Sequence, residues 1–273
     1  MNRRTFFKTA AVVAGTAAVG GAGYGLFEST WVRVDRQTIA VRNLPAGFRG
    51  LKVAFLTDVH HGPYVDLDYV RHCVRTANLL DPDLILLGGD YILREAKYAG
   101  PCFEALTGLK APLGVYGVLG NHDYWHGVAP VKAGFLAAGI TELTNHGVWL
   151  NRRGDRLRLA GVDDLWAGAP DADLALGDAT ATDASLLVSH NPDFAEHLHD
   201  DRVGLVLAGH THGGQVAFPG FTPPWVPSAF GGKYLRGKVE APHTTVYVSR
   251  GLGTMGLPVR LGSRPEISLI TLA

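Results

Sequence analysis

LKVAFLTDVH, residues 51–60, decides the fold. From Leu51 to Leu56 only Lys52 is polar, and Thr57, Asp58 and His60 follow at once. A short apolar run that stops at turn-forming residues reads as a buried strand. The pattern recurs. Leu84–Leu87 leads into Gly88-Gly89-Asp90, and Val115–Leu119 into Gly120-Asn121-His122-Asp123. Leu186–Val188 leads into Ser189-His190, and Val203–Ala208 into Gly209-His210-Thr211-His212. Carboxyl ends of buried strands are where open α/β sheets place ligands. Rigid strands pre-position the side chains, and the glycines permit sharp turns and leave room for substrate.

The side chains at these ends are carboxylates, one amide and imidazoles. Two metal ions roughly 3.5–4 Å apart need a bridging carboxylate to clamp the oxygens of an in-line displacement, and Asp90 is the candidate. Mixed oxygen and nitrogen ligands suit Mn, Fe or Zn, whereas a site for Mg or Ca alone is all oxygen. Taken singly, each piece has a plainer reading. Asp58 could cap a turn, Asp90 and Asn121 could be turn residues, His60 or His61 could lie at the surface, and His210 and His212 could be a chance pair among 12 histidines. Jointly, five ligand-bearing pieces at five strand ends favour the metal reading.

In that order, Asp-x-His, Gly-Asp, Gly-Asn-His-Asp, a lone His and Gly-His-x-His resemble the calcineurin-like metallophosphoesterases over about Val53 to Ala273. The resemblance implies a binuclear centre of two divalent ions, with Asp58, His60, Asp90 and His212 on one and Asp90, Asn121, His190 and His210 on the other. It makes His122 the general acid or transition-state stabiliser, with Asp123 orienting it, and implies hydrolysis of a phosphodiester or pyrophosphate bond by metal-hydroxide attack. Gly89-Asp90-Tyr91-Ile92-Leu93-Arg94 resembles a block of the Ser/Thr phosphoprotein phosphatases but carries Leu93 and Glu95 where that block has an acid and a glycine. Arg94 is therefore read as a surface or salt-bridge residue. Alternation points His61 away from His60, in a supporting or surface role. His72, His126, His146, His197, His199 and His243 match no motif.

The chain opens Met-Asn-Arg3-Arg4-Thr-Phe-Phe-Lys, followed by an uncharged Ala/Gly/Val-rich run from Thr9 to Phe27. This resembles a twin-arginine export signal, an address rather than part of the fold. It implies the export machinery as a partner and a periplasmic or cell-envelope location, with cleavage or retention as a membrane anchor both open. The expected organisation is a signal or anchor over 1–30 and one metallophosphoesterase domain over 31–273, about 240 residues.

A hydrophobic fraction of 47% supports a large core, and a formal net charge of +0 supplies no basic field for nucleic acid. With only Cys73 and Cys102 there is no disulfide framework; both read as buried thiols, with one bridge left open. Helices are expected over Asp66–Leu80, with Asp66 as N-cap, and over Pro101–Leu109 and Val131–Ala138. Strands are expected over Trp31–Val41, Val148–Leu150, Arg156–Val162, Thr244–Val248 and Glu266–Leu272. Mixed strands with helices outside predict an α/β fold, a four-layer α/β/β/α sandwich of two mixed sheets flanked by helices, which is also the fold the resemblance implies.

Phe218, Phe221, Trp225 and Phe230 stand among prolines and could hold an acyl chain, meet a membrane or pack on each other. Arg260 could contact a substrate phosphate or pair with a surface acid. His210-Thr211-His212-Gly213-Gly214-Gln215, the Arg260 region and the export signal together resemble a subgroup of envelope phosphodiesterases. They also resemble pyrophosphatases that cleave UDP-2,3-diacylglucosamine in lipid A synthesis, which would require an inward-facing anchor. The substrate is read as small and phosphorylated, with a lipid-linked one and membrane association both open. A non-catalytic scaffold of the same fold is disfavoured by the complete ligand set.

Overall fold

The computed structural model describes residues 20–199, 201–218, 223 and 225–273. Two six-stranded mixed sheets pack face to face. The first holds β1 (Arg33–Ile39), β2 (Lys52–Leu56), β3 (Leu84–Leu87), β4 (Val115–Gly117), β5 (Thr141–Glu142) and β12 (Glu266–Leu272), in the order β1-β12-β2-β3-β4-β5. The second holds β6 (His146–Arg152), β7 (Asp155–Gly161), β8 (Ser185–Val188), β9 (Leu205–Ala208), β10 (Gly237–Glu240) and β11 (Thr245–Val248), in the order β10-β11-β9-β8-β7-β6. Helices α2 (Leu67–Asn78), α3 (Ala99–Leu106) and α4 (Asn121–Ala137) cover the first sheet, and the short α5 (Ala172–Leu176) lies against the second. A further helix, α1, covers 20–28.

The layers explain why the central strands are apolar without alternation. Successive side chains point to opposite faces, and here both faces are buried. Val53 and Phe55 enter the core between the sheets, while Ala54 and Leu56 face the helices; Leu84 and Leu86 part from Ile85 and Leu87 in the same way. In the second sheet Leu205 and Leu207 point inward, and Val206 and Ala208 outward.

Parallel register brings the strand ends level. Leu56 pairs with Leu87, Leu87 with Gly117, and Val188 with Leu207. Asp58, Gly89, His190 and His210 therefore each stand two residues beyond their strands on one rim of the sandwich.

Asp66 caps α2, accepting the Tyr69 N–H at 2.7 Å. The expected helix at Val131 instead begins ten residues earlier, at Asn121. Gly127, at φ 151°, and Pro130 kink it into two parts, because a helix-interior proline lacks a donor and crowds the preceding turn. The early part carries Asn121 and His122 to the rim. Cys73 in α2 and Cys102 in α3 are buried free thiols.

The packed unit starts before Trp31, where the sequence suggested the domain begins. The Gly25 carbonyl accepts the Arg260 N–H at 3.0 Å, and the buried Glu28 carboxylate accepts the Ser263 N–H at 3.0 Å. Arg3-Arg4 and most of the uncharged run lie outside the described residues, as does Phe221. Among the described residues no helix is long and apolar enough to cross a membrane.

Candidate metal centre and active site

Beyond β2 and β3 the backbones stay paired. The N–H groups of Asp58 and His60 donate to the carbonyls of Gly89 and Asp90, at 2.9 and 3.0 Å. Within this ladder, and after β9, five of the seven candidate ligands adopt left-handed backbone: Asp58 (φ 53°), His60 (49°), Asp90 (57°), His210 (71°) and His212 (52°). Such conformations cost on the order of 1–3 kcal/mol each for ordinary residues and persist only where surroundings enforce them. Here they turn successive side chains toward one point. Glycines make the space. A Cβ at Gly209 would overlap Asp58 Oδ2, and one at Gly120 would overlap Asp90 Oδ1. The room these two glycines leave is filled by carboxylates rather than by substrate.

Two adjoining groups result. Asp58, His60 and His212 form one, with His60 Nε2 3.1 Å from His212 Nε2 and His212 Nε2 3.5 Å from Asp58 Oδ1. Asp90, His190 and His210 form the other, with His190 Nε2 3.2 Å from Asp90 Oδ2 and 3.1 Å from His210 Nδ1. Asn121 Oδ1 joins it, 3.1 Å from His190 Nε2. Asp90 Oδ2 is also 3.6 Å from His60 Nε2 and so stands between the groups. All seven side chains are buried.

The donor set fits divalent ions. His190 Nδ1–H donates to the Gly88 carbonyl at 2.8 Å, which turns Nε2 toward Asp90. Carboxylate and amide oxygens and imidazole nitrogens converge there with few protons to share. Burial pushes His60 down to about 3 and holds His210 and His212 well below the usual imidazole range, so all three are neutral, as metal ligation requires. At His190 burial acts in the same direction, but Asp90 outweighs it and favours positive charge. A divalent cation held by Asp90, His190 and His210 would answer the same demand. Asp58 is raised by burial to about 6, and Thr57 Oγ1 orients it by donating to Oδ2 at 2.9 Å.

His122 stands at the lip, with a ring nitrogen within 4.8 Å of both His60 and Asp90 ligand atoms. Its Nδ1 is 3.1 Å from His126 Nε2. His126 had no motif; its one signal was a spacing of four residues on a helix that begins earlier than expected. Asp123 does not orient the His122 ring. Its Oδ2 accepts the N–H groups of Asp90 and Gly120 at 2.8 and 2.9 Å, and Oδ1 accepts that of Tyr91 at 2.8 Å.

Arg260 is neither a substrate contact nor a surface pair. Fully buried behind the site, it donates to the carbonyls of Gly253 (3.0 Å), Ser263 (2.8 Å), Arg250 (2.9 Å) and Gly251 (3.2 Å). Its Nη2 lies 3.2 Å from His212 Nδ1. Burial lowers its pKa to about 10, which leaves it a cation. His61 is buried, with Nδ1–H donating to the Val65 carbonyl at 2.8 Å. Arg94 is exposed and lies over Tyr64.

The cleft above the cluster is framed by Trp125, Trp166 and Trp225, all substantially exposed. Trp166 stands edge-on to His210, 4.3 Å between centroids. The buried Asp164 fixes its loop, accepting the N–H groups of Trp166 and Ala167. Trp125 follows His122 by one helical turn; for Trp166 the sequence carries no signal.

Two facing sheets with imidazoles and carboxylates along one rim define a class, the metal-dependent phosphoester hydrolases. The chain belongs to the calcineurin-like phosphoesterase family, whose sequence model matches residues 51–214. It is 35% identical to an uncharacterized metallophosphoesterase of Bacillus subtilis, YkuE, the alignment covering 100% of this chain and 98% of that one. It is 31% identical to the phosphodiesterase YaeI of Escherichia coli, over 100% and 99%.

Proposed function

We propose that the protein is a binuclear metallophosphoesterase of the cell envelope that hydrolyses a phosphodiester or pyrophosphate bond. Asp58, His60, Asp90 and His212 would hold one ion, and Asp90, Asn121, His190 and His210 the other. The observation that carries this reading is the convergence of buried carboxylate, amide and imidazole ligand atoms around Asp90. Likeness to a phosphodiesterase supports the diester class, and the twin-arginine-like N-terminus supports export.

Bound divalent ions would supply charge for the phosphoryl oxygens and lower the pKa of attacking water. The chain supplies the rest. His122, within reach of Asp90 and His60, would move a proton to the departing oxygen, with His126 fixing its ring. Asp123 would hold the Asp90 backbone, and the tryptophan frame would limit water.

An apolar cavity of about 290 Å³ adjoins the cleft, sharing His212, Trp225 and Met255 and continuing to Val216, Leu257 and Val259. This favours, as a second reading, a lipid-linked pyrophosphate such as UDP-2,3-diacylglucosamine.

Metal analysis of protein purified without added metal, paired with turnover of bis-p-nitrophenyl phosphate and of the nucleotide lipid, tests both. About two ions per chain with diester turnover supports the first reading. Turnover of the nucleotide lipid alone selects the second. No metal and no turnover after Mn addition rejects both.

A further inference from the structure

A second cavity, about 560 Å³, lies outside the metal site and is lined by Arg33, Arg236, Arg250 and Arg264 beside Tyr24 and Phe218. The pairing of Val216 with Leu261 separates it from the apolar cavity of the active site. Arg33 and Arg250 are matched: both meet Asp35, at 3.3 and 3.2 Å, and Arg250 also meets Glu266. Glu28 lines the cavity too, but its carboxylate accepts the Ser263 N–H. The other two arginines have no carboxylate partner among the described residues. Arg236 donates to the Gly262 carbonyl at 3.0 Å. Arg264 donates to the Trp31 carbonyl at 3.0 Å and lies 3.6 Å over the Trp31 ring. Burial, followed by the charge of Arg250, depresses the Arg236 pKa. Four arginines here meet three carboxylates, Glu28, Asp35 and Glu266, which leaves one positive charge for an anion to balance.

Beside this cavity runs an aromatic row. Tyr24, Phe27 and Trp31 follow one another in tilted ring contacts, 6.5 and 5.3 Å between centroids. They are 50%, 57% and 45% exposed, with Leu26 at 51% and Phe218 at 57%. Side chains this large, exposed together, mark a surface with an occupant. Aromatic rings beside arginines match the water–lipid boundary, where rings sit at headgroup level and cations meet anionic phosphates. The paired N–H groups of guanidinium suit phosphate oxygens.

We propose that this face docks on an anionic bilayer, with a headgroup phosphate held by Arg236 and Arg264 and the Tyr24–Phe27–Trp31 row lying in the interface. It does not depend on the hydrolytic reading, and its failure would leave that reading intact.

The test uses the full chain and flotation with phosphatidylcholine vesicles, with and without phosphatidylglycerol. The quantity read is the gain in retention that phosphatidylglycerol adds, so apolar insertion common to both vesicles cancels. That gain, read at fixed ionic strength, should fall about tenfold or more in Arg236→Gln/Arg264→Gln. Arg236→Gln alone, whose side chain makes one carbonyl contact, should lose part of the gain with an unchanged thermal midpoint and unchanged soluble-diester turnover. A gain equal to wild type in the double variant overturns the proposal, and so does inorganic phosphate raising the thermal midpoint of a chain that phosphatidylglycerol does not retain, which would mark a site for soluble anions.

Discussion

Asp123 accepts the backbone N–H of Asp90 at 2.8 Å across the base of the candidate metal centre. It thereby fixes the left-handed turn that aims Asp90 between the two ligand groups. Asp123→Ala would leave three buried N–H groups without an acceptor, at about 1–3 kcal/mol each before relaxation. We expect a loss of at least about 2 kcal/mol in denaturant unfolding, together with reduced metal content by elemental analysis. Wild-type metal content in the variant would place the role of Asp123 elsewhere.

His122→Ala should behave differently. Turnover should fall by about 10²–10⁴-fold, with metal content close to wild type. His126→Ala should cost less, about tenfold, by freeing the His122 ring, and should alter the pH–rate profile. Full activity of His122→Ala on an unactivated diester would remove His122 from the reaction.

Gly209→Ala places a methyl group on Asp58 Oδ2. The carboxylate must move, while the core strands keep their packing. Overpacking costs about 1–3 kcal/mol, and the expected signature is a loss of metal larger than the loss of stability. Calorimetric titration with Mn in the folded variant measures it.

Arg260→Lys keeps a charge but cannot reach the carbonyls that the guanidinium spans. Charge-assisted hydrogen bonds are worth about 1.5–3 kcal/mol, so a loss of at least about 3 kcal/mol is expected. KM for a soluble diester should stay near wild type in the folded fraction. Unchanged stability with a raised KM would return Arg260 to substrate binding.

Burial raises the Cys73 thiol to about 12 and pushes Cys102 higher still. Both stay protonated at pH 8 and shielded from reagents. Neither should react with a disulfide reagent until the chain unfolds. Rapid labelling of folded protein would contradict their burial.

The sequence alone determined the layers and which residues are candidate ligands. Each depends on a local pattern: an apolar run too short for a helix, then carboxylate, amide or imidazole. The same holds for Asp66 as N-cap, since capping spans only three residues. The tertiary structure decided what depends on distant partners. Asp123 looked like support for its neighbour His122, but its oxygens face a turn some thirty residues earlier. Arg260 looked available to a substrate phosphate or a surface acid, but β11 and β12 carry it behind His212, where backbone carbonyls surround it. The left-handed conformations at Asp58, His60, Asp90, His210 and His212 are also unwritten in the sequence. Residues that intrinsically disfavour such backbone adopt it only because strands remote in the chain hold the turns in place.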